Sequence, residues 1–289
     1  MKKKRLKTIA ITAVTGCLLL TMSVTAFATS GSGYESYKGA VESTMFADNA
    51  TVNAQFEVKD NGLITLSGNS NLKLDNENSS SKTNLTVDGI SKAFETSKDN
   101  GNFITKVDDQ YYIAKKGNEQ SDKGEKENLS ASSSTVKLAE MLADTLVGDV
   151  KNQFVKDGQT ISVNLEGAQI PELARLAISA AAENQGRMEN DNHDNNGYDA
   201  DLKSIMNNLP KLSNIDVKSI AMTATVDGNV LKNNEAAVVI TGQDANGVAH
   251  ELTVTIKGDI TNVGNTKIDT IDTTGKDVKT INRDGGHDD

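Results

Sequence analysis

The sequence predicts an α+β fold: a curved antiparallel β half-barrel of about ten strands, covered by two to three mid-chain helices. Three observations lead there. Short runs of alternating apolar and polar residues follow one another between Asn-Gly and Asp-Gly turn signals. These runs fall into two groups, separated by a stretch of helical periodicity between residues 135 and 209. The composition agrees, with only two prolines, no tryptophan and abundant Asn, Asp, Thr and Ser, a mixture that suits strands joined by Asx-rich turns.

Tyr34–Met45 opens the folded region as a short helix, with Tyr37, Ala40, Val41 and Met45 near one face. In Thr51–Val58, Val52, Ala54, Phe56 and Val58 alternate with polar residues, and Asp60-Asn61-Gly62 predicts a hairpin turn. Leu63–Asp75 reads as a long strand with Ile64, Leu66, Leu72 and Leu74 on one face. Lys82–Gly89, Lys92–Lys98, Phe103–Val107 and Gln110–Lys115 complete a meander. The charged, turn-rich segment Lys116–Ser134 is a loop.

The middle of the chain is helical. In Thr135–Lys156 the residues Val136, Ala139, Leu142, Leu146, Val150 and Phe154 recur at spacings of three and four, the signature of one buried face. After a short strand, Thr160–Leu165, a second helix spans Ile170–Met188 with Pro171 in its first turn and Leu173, Ala177, Ile178 and Ala181 as its apolar stripe. Tyr198–Leu209 is a third helix, ended by Pro210. Strands return at Val217–Val226, Leu231–Thr241 and Val248–Lys257, with Lys267–Asp272 as a further candidate. The domain is expected to span residues 29–275, and residues 276–289 to form a disordered tail.

Met1–Ala28 has a basic start, an apolar run and Ala26-Phe27-Ala28 before polar sequence, the pattern of a cleaved secretory signal. An uncleaved anchor and a lipobox at Cys17 are the alternatives. Cleavage is favoured by the small residues before position 29, and the lipobox is disfavoured by the apolar stretch that follows Cys17. The expected location is therefore the extracytoplasmic cell envelope or the medium. Cleavage would remove Lys2, Lys3, Lys4, Arg5, Lys7 and the single cysteine, and move the net charge from −10 to −15. Such an acidic chain has no general attraction for nucleic acid or for anionic lipid headgroups, and contact with a membrane is expected to be only transient.

No catalytic motif appears. There is no G-x-S-x-G, no H-E-x-x-H and no phosphate-binding glycine loop, so neither an enzyme activity nor a cofactor is expected. The loop DNHDNNGYD places Asp191, Asp194 and Asn196 as weak candidate metal ligands. Lys203 stands where a calcium loop needs its closing carboxylate, which favours a solvated acidic loop. His250 lies on the apolar parity of its strand, as a core or pocket-lining histidine would.

The order of elements resembles the LolA/LppX-like lipoprotein-carrier superfamily, in its Gram-positive secreted type. The resemblance rests on that order, on Tyr34–Ala40 (YESYKGA), and on the late stretches VDGNV, ANGVAHELTV and NVGNTKID. It implies a secreted, non-enzymatic protein that carries or senses a lipid or acyl chain between sheet and helices, with a lipidated or envelope protein as a further partner. On that reading Leu142, Leu146, Val150, Leu173, Ala177, Ile178 and His250 line the pocket. The competing expectation is an envelope interaction module with a solid core, binding a protein or cell-wall partner through an edge strand or loop.

Overall fold

The computed structural model describes residues 32–45, 47–115, 148–183 and 210–282. Helix α1 spans Ser32–Met45. Six strands follow: β1 Asn49–Asp60, β2 Leu63–Asp75, β3 Asn78–Val87, β4 Ile90–Asp99, β5 Asn102–Val107 and β6 Gln110–Lys115. A 3-10 turn at Gly148–Gln153 leads into β7 Val155–Asp157 and β8 Thr160–Glu166. Helix α2 is Glu172–Glu183, and the chain ends in β9 Ser213–Asp227, β10 Val230–Gln243, β11 Ala249–Thr261 and β12 Val278–Asn282. The protein is thus mostly β, within the α+β class, with two α-helices among the described residues.

All twelve strands belong to one sheet, in the order β12-β6-β5-β4-β3-β2-β1-β11-β10-β9-β8-β7, which curls without closing. Every pairing is antiparallel except β12 on β6. The turns do what their residues dictate. Asn61-Gly62, Asp88-Gly89 and Asn100-Gly101 all adopt positive φ at both positions, the geometry that matches the twist of a two-residue hairpin. Where the sequence predicts about ten strands there are twelve. The two extra ones are the edges β7 and β12, both too short for alternation to reveal them.

Helix α1 packs mainly on β10, with further contacts to β7, β8 and β9. Its Tyr34, Tyr37, Ala40 and Val41 are fully buried, at the three- and four-residue spacing of one helical face. They join Phe154, Ile161, Met222, Ala224 and Leu231 in the largest core cluster. The ring of Phe154 meets Tyr34 edge-on at 5.0 Å between centroids. Tyr37 Oη donates to Asn234 Oδ1 at 3.2 Å, and both residues are buried. Helix α2 lies against β9, fixed by Arg175, which donates to the carbonyls of Ile170, Val217 and Gly167 and pairs with Asp216.

Two expectations for the helical middle need correction. Residues 148–156, expected as the end of a long helix, form the 3-10 turn and part of β7. Val150 and Phe154 remain buried, because the tighter turn delivers them to the same core. The inner face of α2 is Ala174 and Ile178, with Ala182, while Leu173 and Ala177 point outward. The inward turn of Arg175 rotates the helix away from the apolar stripe its sequence suggests. The helix Tyr198–Leu209 and the loop Lys116–Ser134 lie outside the described residues, as do the signal segment Met1–Ala28 and His287.

The opposite face of the sheet carries a strap. After β11, residues 262–277 leave the sheet and cross β1 to β5 to reach β12 beside β6. Thr51, Lys73, Ser80 and Ser97 form one register row across four strands, and the strap bonds to all four. Thr266 Oγ1 meets Thr51 Oγ1 at 2.9 Å, and Asp269 accepts from Lys73 Nζ at 2.7 Å. The backbone N–H of Asp269 donates to Ser80 Oγ, and its carbonyl accepts from Ser97 Oγ. Lys267–Asp272, a candidate strand from its sequence, therefore forms no strand and lies outside the sheet. Part of the expected disordered tail is ordered, because Val278–Asn282 pairs with Tyr111–Lys115.

Candidate functional site

The face on which the helices pack continues beyond them. Along β1 the even-numbered residues Ala54, Phe56 and Val58 share this face, and the register carries it into neighbouring strands on both sides. One row reads Val254, Val58, Leu66, Val87 and Ile90 across β11, β1, β2, β3 and β4. The next reads Ile256, Phe56, Gly68 and Leu85. Three small apolar clusters result, and Phe56 packs against all three. Position 68 must be glycine: a Cβ there would stand 2.3 Å from Phe56 Cζ and 2.5 Å from the carbonyl oxygen of Asn84.

Towards β6 this floor changes character. Ser70, Ser81, Thr83, Thr96 and Thr105 are buried on the same face. Ser70 bonds to Thr83 at 2.9 Å and Ser81 to Thr96 at 2.8 Å across adjacent strands. These pairs satisfy one another, so they can lie under an apolar chain without leaving a polar atom bare. The floor thus joins aliphatic and aromatic rows to a band of paired hydroxyls.

One departure shapes its end. Val58 pairs with Leu66 and Lys59 with Ile64, which leaves Thr65 as an extra residue. This bulge moves Ile64 to the face opposite Leu66 and leaves it exposed. The expected single face for Ile64, Leu66, Leu72 and Leu74 therefore holds only from Leu66 onward.

At the same end, His250 Nδ1 lies 2.8 Å from Asp60 Oδ2, and its Nε2 lies 3.9 Å from Asp244 Oδ2. Nε2 is buried without a hydrogen-bond partner. Asp244 accepts backbone N–H bonds from Val248 and Asn246, which hold its carboxyl below the usual carboxylate range. Asn61 completes the junction, bonding the backbone of Glu251 and Ala249. His250 thus ties the end of β1 to the β10–β11 turn. Among the described residues no nucleophile contacts the ring, and the arrangement is a hydrogen-bonded junction that fixes two turns.

The residues singled out as pocket lining from sequence are not brought together. Val150 is buried in the core under α1, Ile178 packs on the same core, and Leu173 and Ala177 are exposed. Leu142 and Leu146 lie outside the described residues, as do Asp191, Asp194 and Asn196. His250 is on the floor's own face but at its rim. The floor residues Phe56 and Leu85, and Phe94, which clusters with Leu85 and pairs with Thr83 on the same face, are not among the sequence-based site candidates. The signal that would have found them is the aromatic Phe56 paired with a glycine in the interior of the next strand. No protein-family model matches the chain, and no curated protein is significantly similar to it.

Proposed function

We propose that this protein is a non-enzymatic binding protein that holds an apolar ligand, a lipid or acyl chain, against the helix face of its sheet. One observation carries the reading: that face extends past the strands on which the helices chiefly pack, as an apolar floor centred on Phe56 and bordered by self-paired hydroxyls. A methylene chain laid there would gain roughly 0.8 kcal/mol for each CH₂ removed from water. Affinity would need no charged anchor. The order of elements resembles LolA-like carriers, in which sheet and helices enclose such ligands, and the secretory signal pattern of Met1–Ala28 fits an envelope or extracellular place of work.

The test is direct. Protein purified from its host is extracted with organic solvent and the extract examined by mass spectrometry, with uptake of a fluorescent fatty acid measured in parallel. A stoichiometric lipid, or uptake that Leu85→Asp abolishes while far-ultraviolet circular dichroism is unchanged, is the expected result. A lipid-free protein that takes up no probe overturns the reading.

A further inference from the structure

Four of the eight large apolar side chains exposed among the described residues gather at one end of the sheet. Leu63 is 74% exposed, Ile90 67%, Ile64 56% and Val248 53%. They come from three different hairpins, β1–β2, β3–β4 and β10–β11, whose turns lie side by side. The backbone N–H of Asn61 bonds to the carbonyl of Glu251, and that of Asp88 to the carbonyl of Thr65. Scattered exposed aliphatics are ordinary on a protein surface, but a cluster on adjacent turns is a mark of contact with something else.

The charges around the cluster say what kind of partner it suits. Of the cations at this end, Lys59 pairs with Glu57, Lys92 with Asp108 and Lys106 with Glu95, while Lys276 and Lys279 lie over the rings of Tyr111 and Tyr112 on its β6 side. The exposed Asp88, Asp109 and Glu251 have no ion-pair partner among the described residues. The rim is therefore apolar at its tips and anionic around them: Asp88 sits in the β3–β4 turn, Glu251 beside Asn61, and Asp109 in the neighbouring β5–β6 turn. An anionic bilayer would be repelled, and so would a second copy of this acidic chain. A segment that alternates cationic and apolar side chains matches both features.

We propose that this hairpin rim docks a basic, amphipathic polypeptide segment of a partner protein. The inference goes beyond ligand holding on the floor and does not depend on it: of the four rim residues only Ile90 also ends a floor row.

A synthetic Leu/Lys amphipathic peptide serves as the probe, titrated against the purified protein by fluorescence anisotropy. Saturable binding is expected, weakening as salt rises. Leu63→Ser with Ile90→Ser should weaken it by about tenfold or more, as expected when two aliphatic contacts are lost. Asp88→Asn with Asp109→Asn should weaken it and flatten the salt dependence. Leu173→Ser with Leu176→Ser, which removes the exposed pair on α2, should change nothing. All six positions are exposed, so the melting temperature should stay as in the parent and binding losses can be read as contact losses. Four results would overturn the proposal. They are equal binding of a Leu/Glu peptide, insensitivity to the rim substitutions, binding of phosphatidylcholine vesicles that Leu63→Ser with Ile90→Ser abolishes, and a concentration-dependent dimer lost in that same variant.

Discussion

Phe56 and Gly68 face each other across the β1–β2 pair, and the aromatic ring occupies the space that any side chain at 68 would need. Because Phe56 also touches three separate apolar clusters, this one approach holds the floor together. Gly68→Ala must push the ring aside or shift β3, and we expect a loss of about 1–3 kcal/mol in urea unfolding. If the floor binds lipid, fatty-acid uptake falls in the same variant.

Asp269 pins the strap to the sheet. The hydrogen bond from Lys73, with the charge of Lys82 nearby at 3.5 Å, holds its carboxyl below the usual carboxylate range. A depressed folded-state value stabilises the protein above the ordinary carboxylate range, and that contribution is lost as pH falls through the depressed value. Asp269→Asn should therefore cost stability at neutral pH and little in strong acid. The carboxylate is partly exposed, so the difference should be about 0.5 kcal/mol. Urea midpoints for both proteins, measured from neutral to acid pH, should converge at the acid end.

Tyr37→Phe removes the hydroxyl that Asn234 Oδ1 accepts from in the core under α1. The Nδ2 of Asn234 is already buried without a partner, so the amide would lose its observed bond. A loss of about 1–3 kcal/mol is expected. Asn234→Leu combined with Tyr37→Phe should recover part of it, because no buried amide remains. Thermal unfolding of the two single variants and the double variant measures the coupling.

His250→Ala leaves Asp60 without its ring partner and unties the β10–β11 turn from the end of β1. Amide exchange should accelerate at residues 60–64 and 244–251, while the amides of β4 and β5 keep their protection. A uniform acceleration across the sheet would show that His250 supports the whole fold and not this junction alone.

Much of this architecture is legible in the residues. Asn-Gly and Asp-Gly turns fix where β1–β2, β3–β4 and β4–β5 reverse, since only a few residues accept positive φ twice in succession. Helix α1 follows from Tyr37, Ala40 and Val41 at helical spacing. What escapes the reading is non-local. The bulge at Thr65 reverses the parity of Ile64, and nothing in the local alternation announces it. Arg175 looks like a solvent-facing residue until its carbonyl partners on Gly167, Ile170 and Val217 are seen. The strap satisfies its polar groups on side chains of β1 to β4, so it carries no period of its own. The floor is harder still, because it is assembled from a few residues of each of six strands.

The middle of the sheet joins the two halves of the chain. Residues 51–60 of β1 pair with 252–261 of β11, a separation of nearly the whole domain. Until β11 has been made, β1 and β10 are both raw edges, able to recruit strands from other molecules. The seam is thus a late event in folding, and a slow one by the usual dependence on sequence separation. A chain cut short before Leu252 would yield two incomplete sheets and not a smaller version of the protein. Quality control that detects open β edges would see every such fragment.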